Sequence, residues 1–156
     1  MKPVFAVVAA ALLLSMAAAI AQDAAKPGAA SQAAAEPGGP GLGEIMALQQ
    51  MRHIKLWFSG HGGNWPLADY EIGELEEGFE DVEKLLGGDI VEQHVGAPIA
   101  ALEKAIAGKS RGAFDAAFDK LSDGCNACHR TLDHGFIAIQ RPTSLPYSDQ
   151  SFAPRK

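Results

Sequence analysis

Four stretches of this sequence repeat apolar residues at the spacing of an α-helix, and almost none alternates in the manner of a β-strand. The clearest runs from about residue 64 to residue 86. Its apolar positions follow one another at intervals of four and three residues: Ala68, Ile72, Leu75, Phe79, Val82 and Leu86. This spacing predicts a helix that packs lengthwise against its neighbours. Asn64 supplies a capping residue and Pro66 suits a first turn, while the glycine pair after residue 86 predicts the end of the helix.

Three further helices are predicted in the same way. The first covers about residues 43–58 and stops before a glycine-rich turn, and a short third helix covers residues 98–108. The fourth begins near Ser110 and repeats the four-and-three spacing through Phe114, Phe118, Leu121, Cys125, Cys128 and Leu132. The fold class that these patterns predict is all-α, an antiparallel four-helix bundle.

The two ends of the chain differ in composition from the helical part. Residues 1–21 have a positive start, an apolar core of about a dozen residues and an A-x-A ending, which together predict a secretory signal peptide. That core is shorter than the roughly 20 residues needed to span a bilayer. Residues 22–41 are rich in Ala, Pro and Gly and predict a flexible leader, so the folded domain is expected over residues 42–156. From about residue 136, prolines argue against further helix and predict a non-helical tail.

The fourth predicted helix carries the most informative motif, Cys125-Asn126-Ala127-Cys128-His129. A C-x-x-C-H run is typical of the covalent attachment of a c-type haem. Residues at positions i, i+3 and i+4 share one face of a helix. Both thiols can therefore bind the vinyl groups at one edge of a porphyrin, while His129 binds the iron. The alternative is a disulfide or a redox dithiol, but the sequence shows no βαβ pattern of the thioredoxin kind.

The predicted export signal and the haem motif support each other, because c-type haem is attached outside the cytoplasm. We therefore expect a periplasmic protein with one covalently attached haem c and no stable membrane insertion after signal removal. The 19 acidic and 13 basic residues give a formal net charge of −6, which argues against nucleic acid as a partner and is compatible with a basic redox protein. The pattern leaves the oligomeric state open, a homodimer included.

A four-helix bundle with C-x-x-C-H on its last helix resembles the cytochrome c′ family, the class II c-type cytochromes. The resemblance covers roughly residues 43–135 and consists of architecture and motif placement. It implies an up-down-up-down bundle with Cys125 and Cys128 as the thioether attachments and His129 as the proximal iron ligand. The short third helix and the long tail depart from the family pattern, so we interpret the chain as a divergent c′-like member. The class I fold is excluded, because no methionine follows Cys128.

The sixth position of the iron is what separates the candidate functions. The c′ architecture turns its first helix toward the distal face, which makes His53 the first candidate for a distal ligand. Met46 and Met51 on the same helix are the alternatives, and an open, five-coordinate iron is the third reading. The remaining histidines lie in a predicted turn, in a predicted loop and on the haem helix itself: His61, His94 and His134.

A filled sixth position predicts an electron carrier, in which the haem cycles between its ferric and ferrous states. This is the function we expect. An open position would instead support the binding of nitric oxide or carbon monoxide. The acidic face of the second helix, which includes Glu76, Glu77 and Glu80, is either a docking face for a basic partner or a solvated surface. No Ser-His-Asp set, zinc-ligand spacing or phosphate loop is present in the sequence, so we expect no enzymatic turnover.

Overall fold

A computed structural model of the protein describes residues 39–155, so the predicted signal peptide and residues 22–38 of the predicted leader lie outside the described residues. Within residues 39–155 the chain is all-helical and has no strand. In chain order the elements are α1 (Leu42–His61), α2 (Trp65–Leu86), a π-helical turn (Glu92–Gly96), α3 (Ala97–Ala107) and α4 (Arg111–Thr131). The predicted fold class, a four-helix bundle followed by a non-helical tail, is confirmed.

Local signals set the bounds of α2 much as the sequence predicts. Asn64 caps the helix, because the backbone N–H of Leu67 donates to its side-chain oxygen over 3.4 Å. At the other end Gly87 has a φ of +74°, a backbone conformation that glycine adopts without the penalty other residues incur. None of the described helices is long and apolar enough to cross a membrane.

The first helix extends further than the predicted range of residues 43–58. It begins one residue earlier and continues through Gly60 to His61, where the sequence predicted a glycine-rich turn. The physical reason lies in α4, since a side-chain carbon on Gly60 would overlap the ring of Phe114. The glycine therefore permits two helices to approach closely and does not end the first one.

The third helical region differs most from its prediction. The π-helical turn runs directly into α3, so helical backbone begins well before Pro98. His94, predicted to lie in a loop, is therefore part of a helical segment. Proline usually marks the start of a helix, which is why the pattern placed the boundary at Pro98. Pro98 has no N–H to donate, yet helical backbone precedes it, in the wider i→i+5 pattern of a π-helix over Glu92–Gly96.

The two ends of the bundle are filled differently. At one end, Trp57, Trp65, Phe114 and Phe118 form an aromatic cluster that we call the packed end. The Trp57 and Phe118 ring centroids are 5.0 Å apart, and Phe114 and Phe118 are fully buried. Burial of each such side chain stabilises the fold by about 1.5–3 kcal/mol. The opposite end, between the start of α1 and the end of α4, is hollow, and we call it the cavity end.

The tail that follows α4 returns along the outside of the bundle. Ile139 is bound to the side chain of Asn126 on α4, and the guanidinium of Arg141 lies 4.4 Å from the ring centroid of Trp57. Further along, the carbonyl of Ala153 accepts a hydrogen bond from the side-chain amide of Asn64, the residue that caps α2. The tail therefore spans the molecule from the cavity end to the packed end.

Candidate functional site

The cavity end encloses a volume of about 490 Å³ between the first half of α1 and the second half of α4. This volume lies within the range of roughly 300–1,000 Å³ that is usual for ligand and cofactor pockets. Its walls are mostly apolar. The aliphatic and aromatic side chains that form them come from α2, from the segment around the π-helical turn and from the α4 side: Leu75, Phe79, Val82, Val91, Val95, Leu121 and Leu132. Cys125, Cys128 and His129 all line this one cavity. The motif that the sequence predicted as a site is thus brought to a single apolar chamber.

Both thiols are held in their protonated form. Burial raises the pKa of Cys125 to about 12, with a smaller contribution from the neighbouring Cys128. Burial also raises the pKa of Cys128. A redox dithiol of the thioredoxin kind needs a thiolate, which a helix N-terminus stabilises. These cysteines lie in the second half of α4, where the helix dipole disfavours negative charge. Their position therefore argues against the dithiol alternative.

The hydrogen bond of His129 defines which of its ring nitrogens carries the proton. Nδ1 lies 2.9 Å from the carbonyl oxygen of Ile137. A carbonyl only accepts, so the Nδ1–H group of His129 donates and Nε2 carries the lone pair in the neutral ring. Histidines that bind metals are commonly fixed in this way by a backbone carbonyl on the other nitrogen. His129 is therefore prepared to act as a ligand through Nε2.

The set of donors fits a haem better than a bare metal ion. Within residues 39–155, no group of three or more His, Cys, Asp or Glu side chains is arranged to hold a metal ion. A structural zinc site takes four protein ligands, whereas a haem iron needs only axial ligands from the protein. Two protonated thiols and one histidine around an apolar chamber match a covalently bound porphyrin.

The fit of this site to a haem is supported by its own residues and by no known relative. Comparison with protein-family models, curated proteins and solved structures finds no match for this chain. The resemblance to the cytochrome c′ family accordingly stays an expectation from the bundle and the position of the motif on its last helix.

The three candidate distal ligands are placed differently on α1. Met46 and His53 both line the cavity, whereas Met51 is half-buried and is not one of the lining side chains. The structure thus brings two of the three candidates to the cavity of Cys125 and His129. Which of them binds the iron, if either does, stays a prediction.

His53 already has a partner for its Nε2 atom. Nε2 lies 2.9 Å from the hydroxyl oxygen of Ser122, and Ser122 donates its only hydroxyl proton to the carbonyl of Phe118 over 3.1 Å. The hydroxyl oxygen must therefore accept, and the Nε2–H group of His53 donates. Burial lowers the pKa of His53 to about 4, so the ring is neutral at physiological pH. Because Nε2 carries the proton, the lone pair of the neutral His53 ring is on Nδ1, and iron would be bound through that atom with the bond to Ser122 kept.

The other histidines make contacts of their own. The Nδ1 atom of His61 lies 3.0 Å from Asp115 at the packed end, far from the motif in the bundle. Thr131 donates to the carbonyl of Ala127 and accepts from Nε2 of His94 over 3.2 Å. His134 lines the cavity, but it lies on the same side as His129, in the turn that follows α4.

The tail contributes to this site, since Ile137 and Ile139 line the cavity although they follow the last helix. Sequence reasoning missed the contact that holds the tail in place. Asn126, one of the two variable residues of the motif, binds the backbone of Ile139 through both atoms of its amide. No local pattern in the sequence indicates this contact, because it joins the helix to a chain segment whose path the helix does not dictate.

Proposed function

We propose that this protein is an exported, c′-like monohaem cytochrome that carries electrons between redox partners. The observation that carries the proposal is the convergence of Cys125, Cys128 and His129 on one apolar cavity, with the Nδ1–H of His129 fixed by a backbone carbonyl. When bound, a haem supplies a one-electron ferric–ferrous couple.

The chain's own residues have separate tasks in this proposal. The thiols of Cys125 and Cys128 would each add to a vinyl group and form the thioethers that hold the porphyrin. His129 would donate the Nε2 lone pair to the iron. The apolar walls would limit the contact of the porphyrin with solvent, and burial of this kind is one of the factors that set a haem reduction potential.

His53 and Met46 support electron transfer as the first function, because both side chains lie on the wall of the cavity that α1 contributes. A side chain in the sixth position leaves the iron no site for a gas. Gas binding is the second candidate, since Nε2 of His53 already binds Ser122 and only its Nδ1 atom keeps a lone pair for the iron.

A basic redox protein is the partner that the surface charge favours. Glu77, Glu80 and Asp81 are exposed along α2, although Lys84 lies 2.9 Å from Asp81 and 3.9 Å from Glu80 and offsets part of their charge. If this face guides docking, electron-transfer rates fall as salt rises, since surface charges are screened over about 8–10 Å. A rate that does not change with salt would mean that the acidic face of α2 is a solvated surface and does not guide docking.

Absorption spectra of the ferric and ferrous protein test the function. We expect low-spin spectra and no carbon monoxide binding in the wild type. His53→Ala should become high-spin and bind carbon monoxide, whereas Met46→Ala, the matched variant on the same helix, should stay low-spin. The reverse pattern would assign Met46 as the ligand. A wild type that is already high-spin and binds carbon monoxide would replace electron transfer with gas binding.

A further inference from the structure

We propose that Asn126 is a positioning residue for His129 and that it acts through the backbone of the tail. The inference rests on the proposed function, because it concerns the histidine that would bind the iron. Residues 137–141 of the tail, which we call the strap, connect the two side chains. Asn126 holds the strap, and the strap in turn holds the imidazole of His129.

The first step is the contact between Asn126 and the strap. The backbone N–H of Ile139 donates to Oδ1 of Asn126 over 2.7 Å, and Nδ2 of Asn126 donates to the carbonyl of Ile139 over 2.8 Å. One amide thus satisfies both polar groups of a single backbone residue. Two bonds to one residue fix the distance of the strap from α4 and also its direction. Both partners are partly buried, so the bonds are shielded from water.

The second step leads from Ile139 to His129. Ile137 lies two residues before Ile139, and its carbonyl accepts the Nδ1–H of His129 over 2.9 Å. The intervening turn is closed by backbone bonds, in which His134 donates to the carbonyl of His129 and Ile137 donates to the carbonyl of His134. The position of the acceptor for His129 is therefore determined from both sides, by this turn and by Asn126.

A second anchor holds the far end of the strap. The guanidinium of Arg141 makes a bidentate pair with Asp119, with Nε and Nη2 at 3.0 and 2.7 Å from the two carboxylate oxygens. It also stacks on Trp57, and Nη2 donates to the carbonyl of Asp115 over 3.3 Å. Bidentate geometry and stacking are properties of arginine that lysine does not share. The strap is thus bound to α4 at Asn126 and again at Asp119, two helical turns away.

Loss of the strap should lower the reduction potential. Water would replace the Ile137 carbonyl as acceptor for His129, so the basicity of the imidazole would change little. The side chains of Ile137 and Ile139, however, form part of the cavity wall, and their departure would admit solvent. A more polar surrounding stabilises the more highly charged ferric state, so exposure is the effect that decides the sign.

The test compares Asn126→Ala with Gln140→Ala in the full-length, haem-bearing protein. Gln140 is exposed in the middle of the strap, and among residues 39–155 its side chain makes no hydrogen bond, so this variant removes an amide without releasing the strap. In Asn126→Ala we expect hydrogen exchange in residues 136–141 to accelerate by about tenfold or more, a factor equivalent to about 1.4 kcal/mol. We also expect the midpoint potential to fall and the paramagnetically shifted ring resonances of His129 to move or broaden, because the imidazole loses the acceptor that fixes its orientation. In Gln140→Ala all three quantities should match the wild type.

Arg141→Lys provides a second variant outside the motif, in case the Asn126 substitution impairs haem attachment. It should accelerate exchange and lower the potential in the same direction, while Arg155→Lys, the control elsewhere in the tail, should change neither. Faster exchange with unchanged ring resonances of His129 would overturn the positioning role. Unchanged exchange would overturn the strap itself. A wild type without covalent haem would overturn the proposed function instead, which separates the two failures.

Discussion

The packed end and the cavity end are built from the same helices but from different side chains. At the packed end, Phe114 and Phe118 are fully buried. At the cavity end, the same two long helices, α1 and α4, surround about 490 Å³. Protein interiors are normally packed as densely as organic crystals. If the proposed function is right, the packed end stabilises the fold and the cavity end holds the haem.

This comparison predicts that stability and haem environment can be changed separately. Phe114→Ala at the packed end should lower the free energy of unfolding by about 3–5 kcal/mol and leave the haem spectrum of the folded protein unchanged. Phe79→Ala, which truncates a half-buried ring on the cavity wall, should cost clearly less stability and alter the haem spectrum or potential. Urea unfolding and absorption spectroscopy measure the two effects. Equal stability losses, or a spectrum that responds to Phe114 instead, would contradict the division.

His53 lies between the two ends, in contact with Phe118 on one side and the cavity on the other, and it should make stability depend on pH. Burial lowers its pKa from 6.5 to about 4. Above pH 6.5 the ring is neutral in both states, so it has no effect. Between pH 6.5 and 4 only the unfolded chain takes up the proton, so stability should decrease as the pH falls, by up to about 3 kcal/mol.

The measurement for His53 is the free energy of unfolding at pH 7 and pH 4.5. The wild type should be less stable at the lower pH, and His53→Gln should show a smaller decrease. An identical pH dependence in the two proteins would mean that other groups account for it.

A glycine pair tests how closely the helices approach at the packed end. Gly60→Ala should destabilise the protein by about 1–3 kcal/mol, because the new methyl group overlaps the ring of Phe114. Gly73→Ala on α2 is the matched control, since an added carbon there has no neighbour within 4 Å. The control should stabilise the helix by up to about 1 kcal/mol, the difference in helix propensity. Opposite signs in thermal unfolding support the close contact, and equal effects would contradict it.

Local sequence patterns predicted the features that depend on residues close together in the chain. The cap at Asn64, the glycine end of α2 and the helical spacing of Cys125 and Cys128 all act within one or two turns, and the structure has each of them. The overrun of α1 at Gly60 was not predictable from its own residues. It depends on a phenylalanine from α4, more than 50 positions later in the chain.

The candidate site was likewise predictable only where it depends on residues close together in the chain. The motif placed two cysteines and a histidine on one face, but nothing in it indicated that the carbonyl of Ile137 would define the tautomer of His129. The ranking of His53 ahead of Met46 also relied on position along α1 alone. The bond from His53 to Ser122 joins two residues 69 positions apart, and it is this contact that defines which nitrogen of His53 keeps a lone pair.

The most direct test of the account is the intact mass of the mature protein, purified from a host that attaches c-type haem. We predict that the wild-type mass exceeds that of the polypeptide by one haem, and that the added mass persists after denaturation. The variant with both Cys125→Ala and Cys128→Ala should lack it. A wild type with the plain polypeptide mass, or one lighter by the hydrogens lost in a disulfide, would contradict the assignment of the cavity end as a covalent haem site.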